Sequence, residues 1–274
     1  MIKRIPLAVI ITSCCHFVWA QSSSTTMGAR ANALGYASSC LQDEWSVFNN
    51  IGALAKLKAT TAAFTYDAQP SFKPFNKAAA VFAVPLKAGV VGLGVYRFGD
   101  NLYNEQILTG GFSSTFGLAS LGVKANYIQY NAKGFGRKGM LTISFGGLAT
   151  LTQHLSVGAY IINLNQPLLD HNSGEHLPTV LVAGISLAPS EKTLIVMELE
   201  KDLDYEPTWK TGIAYQFHKK FSFRTGFNVN PNAGFFGLGF KPKNISFDYA
   251  YRYSPGIGAR HQSTIGYNFN QPTK

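Results

Sequence analysis

The sequence predicts an all-β protein, a transmembrane antiparallel β-barrel of about 14 strands behind a short helical N-terminal plug. Three observations carry that expectation. Segments of about ten residues rich in Val, Ile, Phe, Tyr and Thr recur along the chain. Long and short connections alternate between them, and beyond residue 20 no apolar run is long enough for a membrane helix. Composition agrees: 46% hydrophobic, 13% aromatic and only 14% charged residues, with 27 glycines in 274, favour β structure and one large domain over a charged, helical soluble enzyme.

In chain order, residues 1–20 read as a signal peptide. Lys3 and Arg4 precede an apolar stretch that ends at Trp19, and Val18 and Ala20 fill the small-residue positions before Gln21. An alternative takes Ile11-Thr12-Ser13-Cys14 as a lipobox with Cys14 as a lipid anchor. Cleavage after Ala20 also removes Cys15, leaving Cys40 without a disulfide partner in an oxidising compartment. The net charge of +10 falls to about +8 once Lys3 and Arg4 are lost. That excess suits lipid headgroups or acidic partners, and the sequence has no basic cluster interleaved with aromatics of the kind that binds nucleic acid.

Residues 21–58 are not strand-like, and their small residues alternating with Leu and aromatics fit short helices buried as a plug. Barrel strands are then expected at 59–68, 77–86, 88–99, 105–115, 118–130, 138–151 and 154–164. The second half continues at 177–188, 193–201, 208–217, 220–229, 233–242, 244–253 and 260–269, leaving 270–274 as a tail. Connections after even-numbered strands are tight, such as Lys87, Phe116-Gly117 and His218-Lys219; those after odd-numbered strands are longer and polar, such as 69–76 and 165–176. Short turns on the periplasmic side and long loops outside are the mark of an outer-membrane barrel.

Strand alternation assigns the faces. Trp209, Thr211, Ile213, Tyr215 and Phe217 face lipid, as do Ile245, Phe247, Tyr249, Tyr251 and Tyr253. The same alternation turns Glu198, Glu200, Lys210, Arg224, Asp248 and Arg252 into the lumen, as paired charges filling a narrow interior or as a lining that selects a solute. Gly-x-Gly pairs such as Gly92-Leu93-Gly94 lie inside strands and permit close backbone approach. His171 and His176 form a weak metal spacing in a loop, and His261 near Ser263 is too thin a basis for a lipase. With no phosphate loop, nucleophile elbow or zinc-protease motif, neither enzymatic activity nor a cofactor or metal is expected.

Specific stretches carry a family resemblance. Gly28 with Arg30-Ala31, Gly35-Tyr36-Ala37, Asp43-Glu44 and Asn49-Asn50-Ile51-Gly52-Ala53-Leu54-Ala55 resemble the start of the FadL-like PorV/PorQ outer-membrane proteins. Asn50-Ile51 stands where the family motif has Pro-Ala. Leu199-Glu200, Arg224-Thr225-Gly226-Phe227, Phe247-Asp248-Tyr249-Ala250-Tyr251-Arg252 and Ile265-Gly266-Tyr267-Asn268-Phe269 extend the likeness. The resemblance implies a plugged fourteen-strand barrel whose plug rests on Gly28, Arg30, Gly35, Asn49, Asn50 and Gly52. It further implies assistance to type IX secretion by binding exported proteins or translocon components, with loop 165–176 meeting the partner. The alternatives are a FadL-like channel for small hydrophobic solutes and a plain structural barrel with no dedicated ligand.

Overall fold

The computed structural model describes residues 25–269 apart from 171–173 and 204, so the expected signal peptide, Cys14, His171 and the tail lie outside the described residues. Fourteen antiparallel strands close one barrel. They are β1 (Thr61–Ala68), β2 (Lys77–Leu86), β3 (Gly89–Gly99), β4 (Tyr103–Phe116), β5 (Ala119–Ala132), β6 (Gly136–Thr150) and β7 (Leu155–Ile162). After a separate hairpin of β8 (Leu168–Asp170) and β9 (Glu175–His176) come β10 (Val180–Ser190), β11 (Thr193–Asp202) and β12 (Thr208–His218). β13 (Phe221–Val229), β14 (Ala233–Phe240), β15 (Ile245–Ser254) and β16 (Gly258–Asn268) complete the wall. β1 seals against β16 in the register Thr61↔Asn268 to Ala68↔His261, which closes the barrel.

The strands alternate as the sequence predicts. Trp209, Ile213, Tyr215 and Phe217 are exposed on the outside of β12, whereas Lys210 is buried inside. Phe64, Leu93, Leu108, Val123, Leu141 and Ile265 continue the apolar exterior around the barrel. In water so many exposed large hydrophobics would drive aggregation; in a bilayer they are the required surface, and the chain is an outer-membrane barrel with its short turns facing the periplasm.

Two features of the wall depart from the sequence reading. Loop 165–176 contains the β8–β9 hairpin, and Leu177 just after it is buried in the largest core cluster with Leu169 against it. β6 is fifteen residues long but pairs with the eight-residue β7 only from Phe145↔Ile161 to Thr150↔Ser156. Above that point the Asn165 side chain finishes the ladder: its carbonyl accepts from Ile143 N at 2.9 Å and its amide donates to Leu141 O at 2.9 Å. An exposed strand edge is thereby satisfied by a loop residue.

Inside the barrel lie the helix α1 (Ala29–Ala33) and two 3-10 turns, Glu44–Val47 and Ile51–Lys56. α1 stops because Gly35 and Tyr36 both turn left-handed, with φ of 70° and 61°, and Tyr36 N donates back to Ala31 O at 2.8 Å. Glycine adopts that conformation freely, whereas Tyr36 is held there by its surroundings: its ring meets Phe235 edge-on at 5.7 Å and lies under the Arg252 guanidinium at 6.0 Å.

Candidate functional site

The site is the plugged lumen. Its N-terminal segment is cross-braced by the residues that the family resemblance singled out. Asn49 closes the segment on itself, accepting from Met27 N at 2.9 Å and donating to Met27 O at 3.0 Å. Asn50 accepts from Gly52 N at 3.0 Å, capping the second 3-10 turn, and its amide donates to Ser39 O at 2.6 Å and Gly147 O at 2.8 Å. The second 3-10 turn is thus fixed by an asparagine side chain. Gly28 has φ +97°, and a Cβ there would sit 2.8 Å from the Trp45 ring. Arg30 reaches Asp43 at 3.5 Å.

The wall grips this segment through its main chain. The Lys124 ammonium on β5 donates to the carbonyls of Val47, Phe48 and Asn49, which end the first 3-10 turn. The Glu198 carboxylate on β11 accepts from the backbone N–H of Ser38 at 2.8 Å and of Ser39 at 2.6 Å. Thr264 accepts from Ala29 N at 2.9 Å, and Gln262 accepts from the Asn32 amide at 2.7 Å.

Between these grips the wall comes close enough to exclude side chains. A Cβ at Gly122 would lie 2.8 Å from Ile51 O, one at Gly212 2.7 Å from Leu34 Cα, and one at Gly94 2.7 Å from the Phe48 ring. Gly146, Gly158, Gly184, Gly226 and Gly237 face plug atoms at comparably short range. Inward glycines on strand after strand form a belt against which the plug is cast, and only residues without a Cβ permit that approach.

The lumen charges fall into separate groups. Lys210 bridges Glu198 at 3.0 Å and Glu200 at 2.6 Å, so the carboxylate that holds the plug is itself held by an ammonium. Arg224 pairs with Asp248 towards the periplasmic end. Arg252 makes no ion pair among the described residues: it donates to Ser254 Oγ at 3.1 and 3.2 Å and stacks over Tyr36 and Phe235. In the plug, burial pushes the Asp43 carboxyl up, and burial aided by the Asp43 charge pushes Glu44 up to about 7.

Sequence reading missed Lys124 and a further ion pair, Arg260 with Asp67 at 3.1 Å. The available signal was a charged residue on the inward row of an otherwise apolar or small-residue strand. At the extracellular mouth Phe72 and Phe75 meet edge-on at 4.7 Å, and Phe75 lies 5.8 Å from Phe98. Below Phe98 on the same inward face comes Tyr96, which heads the cross-strand row Tyr96, Ile107, Ile128 and Met140, buried above the plug. Phe48 of the plug meets Tyr96 at 6.4 Å, so a run of apolar side chains extends from the outer loops to the plug. On the lipid side the small residues Gly147, Ala159 and Ala183 stand in one row and floor a depression of about 460 Å³.

His176 Nδ1 lies 2.7 Å from Gln166 O, and among the described residues no cluster of three His, Cys, Asp or Glu side chains is placed to hold a metal. His261 faces outward with Nδ1 2.7 Å from the Tyr249 hydroxyl.

No family model and no curated protein matches the sequence. Among solved structures, a CymD monoaromatic hydrocarbon channel superimposes with a TM-score of 0.68 at 12% identity, over 92% of this chain and 100% of that one. The P. putida toluene transporter TodX gives 0.66 at 11% identity over 90% of this chain and 100% of its own. A Pseudomonas aeruginosa FadL homologue gives 0.64 at 12% identity over 87% and 98%. At such identities the likeness is one of fold, and the chain has the barrel fold of these FadL-like outer-membrane channels.

Proposed function

We propose that the protein is an outer-membrane channel for small hydrophobic solutes. The observation that carries the reading is the run of apolar side chains from Phe72 and Phe75 at the mouth, through Phe98 and Tyr96, to Phe48 of the plug. Aromatic rings exposed at a mouth and continued inward offer an apolar molecule a graded transfer out of water. Support comes also from the shared fold, since the CymD and TodX structures are described as a hydrocarbon channel and a toluene transporter. The test is uptake of radiolabelled toluene by cells with and without the chain, together with Phe75→Ala and Phe98→Ala variants. Faster uptake that both variants slow severalfold is expected; equal uptake in all four strains would overturn the reading.

A second reading, assistance to type IX secretion, rests on the resemblance of the N-terminal segment and on one surface feature. Phe135 is 93% exposed at the tip of the β5–β6 hairpin, between Lys133 and Arg137, as a contact for a partner protein would be. Loop 165–176 is less suited to that task because the residues flanking its tip fold back onto the core. Pull-down from outer membranes that recovers exported proteins or secretion components, and loses them in Phe135→Ser, would favour this second role.

A further inference from the structure

The periplasmic rim is asymmetric. Three turns on one side, 190–192, 218–220 and 241–243, carry Lys192, Lys219, Lys220, Lys241 and Lys243, all exposed, with Glu191 as their single acid. The turns on the other side, at Lys87, Phe116-Gly117-Leu118 and Leu151 to His154, carry one lysine, and the chain leading into β1 adds Lys56 and Lys58. The lysine-bearing turns are tied together: Gln216 N donates to Lys192 O at 2.8 Å, the Gln216 amide to Lys219 O at 3.1 Å, and Lys241 N to Lys220 O at 2.8 Å.

Directly above these turns the lipid-facing wall carries an apolar groove of about 400 Å³, the size of a small-molecule site. Phe217, Phe221, Leu238, Phe240, Phe247 and Tyr249 line it. Its rings are ordered, with Phe221 stacked on Phe240 at 4.7 Å and on Phe217 at 6.1 Å. A groove in the hydrocarbon layer with five ammonium groups at its headgroup end matches one chemistry, an acyl chain attached to a phosphate. We propose that this side of the barrel binds an anionic phospholipid of the inner leaflet, with an acyl chain in the groove and the phosphate against the lysines of the three turns.

The inference is independent of what crosses the lumen. Protein purified in detergent is titrated with phosphatidylglycerol and, separately, with phosphatidylcholine, and bound lipid is counted by native mass spectrometry. About tenfold preference for phosphatidylglycerol is expected. Replacing Lys219, Lys220, Lys241 and Lys243 together by Gln should reduce that binding to the phosphatidylcholine level. Leu238→Trp, which fills the groove, should lower retention of both lipids severalfold, with the heat-modifiable barrel band unchanged in both variants. Equal binding of the two lipids by the unaltered protein would overturn the proposal. So would loss of binding in the lysine variant with none in Leu238→Trp, the result expected of lysines that hold a headgroup while the groove stays empty.

Discussion

Lys124 and Glu198 hold the same buried segment by opposite kinds of backbone group, the ammonium taking its carbonyls and the carboxylate its amides. Hydrogen bonds to charged groups contribute about 1.5–3 kcal/mol each, so these two side chains add directional grips to the burial of Met27, Trp45, Val47, Phe48, Ile51 and Leu54. Cys40 supplies a reporter: it is buried, its Sγ lies 3.4 Å from Gly184 O, and burial pushes the thiol up to about 11. Lys124→Met is expected to expose Cys40 to a water-soluble maleimide at least tenfold faster while the heat-modifiable barrel persists. Glu198→Gln should act more weakly because one acceptor oxygen remains, and the double variant should fall short of the sum because both grips serve one unit.

The glycine belt yields a separate expectation. Gly122→Ala and Gly212→Ala each put a Cβ within 3 Å of plug backbone that cannot rotate away, and overpacking of this kind costs about 1–3 kcal/mol. Both should speed Cys40 labelling. Gly234→Ala is the control, since nothing lies within 4 Å of its added Cβ. Equal labelling in all three would show that the plug does not press on the wall.

Seating should also depend on pH. Glu44 is half-buried, and its pKa rises from 4.5 to about 7 through burial and the Asp43 charge beside it. A carboxyl whose pKa is higher when seated than when free is penalised by ionisation. Plug seating is therefore strongest below about 4.5 and weakens as pH rises towards 7. The shift corresponds to at most about 3 kcal/mol, reduced by the solvent that reaches the side chain. Cys40 labelling, corrected for thiolate fraction, should accelerate between pH 5 and pH 8 by about tenfold or more, and Glu44→Gln should flatten that profile.

Asn50→Ala removes the cap of the second 3-10 turn together with the amide bonds to Ser39 and Gly147. A loss of about 1–2 kcal/mol is expected from the cap alone. Urea titration followed by Trp fluorescence should register it as a lower first midpoint, with Trp45 in the plug as the reporter.

Much of the wall was legible because strand alternation and loop length are local properties. The expected strand 77–86 coincides with β2, and most other limits fall within two or three residues. The β8–β9 hairpin was not legible, since its three- and two-residue strands carry no periodicity and Leu177 is buried only by what surrounds it. Inward charge could be read one strand at a time, but its partners could not. Lys210 and Glu198 are cross-strand neighbours, and the Ser38 and Ser39 amides that share the carboxylate come from far earlier in the chain. Arg252 looked like a member of an ionic network and instead lies over two aromatic rings, a choice made by tertiary contacts.

At the pair Gly158 and Gly184 the inner face of the wall carries no side chain, and the outer row beside it, Gly147, Ala159 and Ala183, carries only small ones. Hydrocarbon outside and the polar atoms of Ser39 and Asn50 inside are insulated from one another by a single sheet of peptide. Amides that close to a low-dielectric medium must be matched locally, and the wall's own carbonyls do it: Gly147 O accepts from Asn50, and Gly184 O lies within reach of the Cys40 thiol. Here the barrel backbone acts at once as membrane boundary and as solvent for its plug.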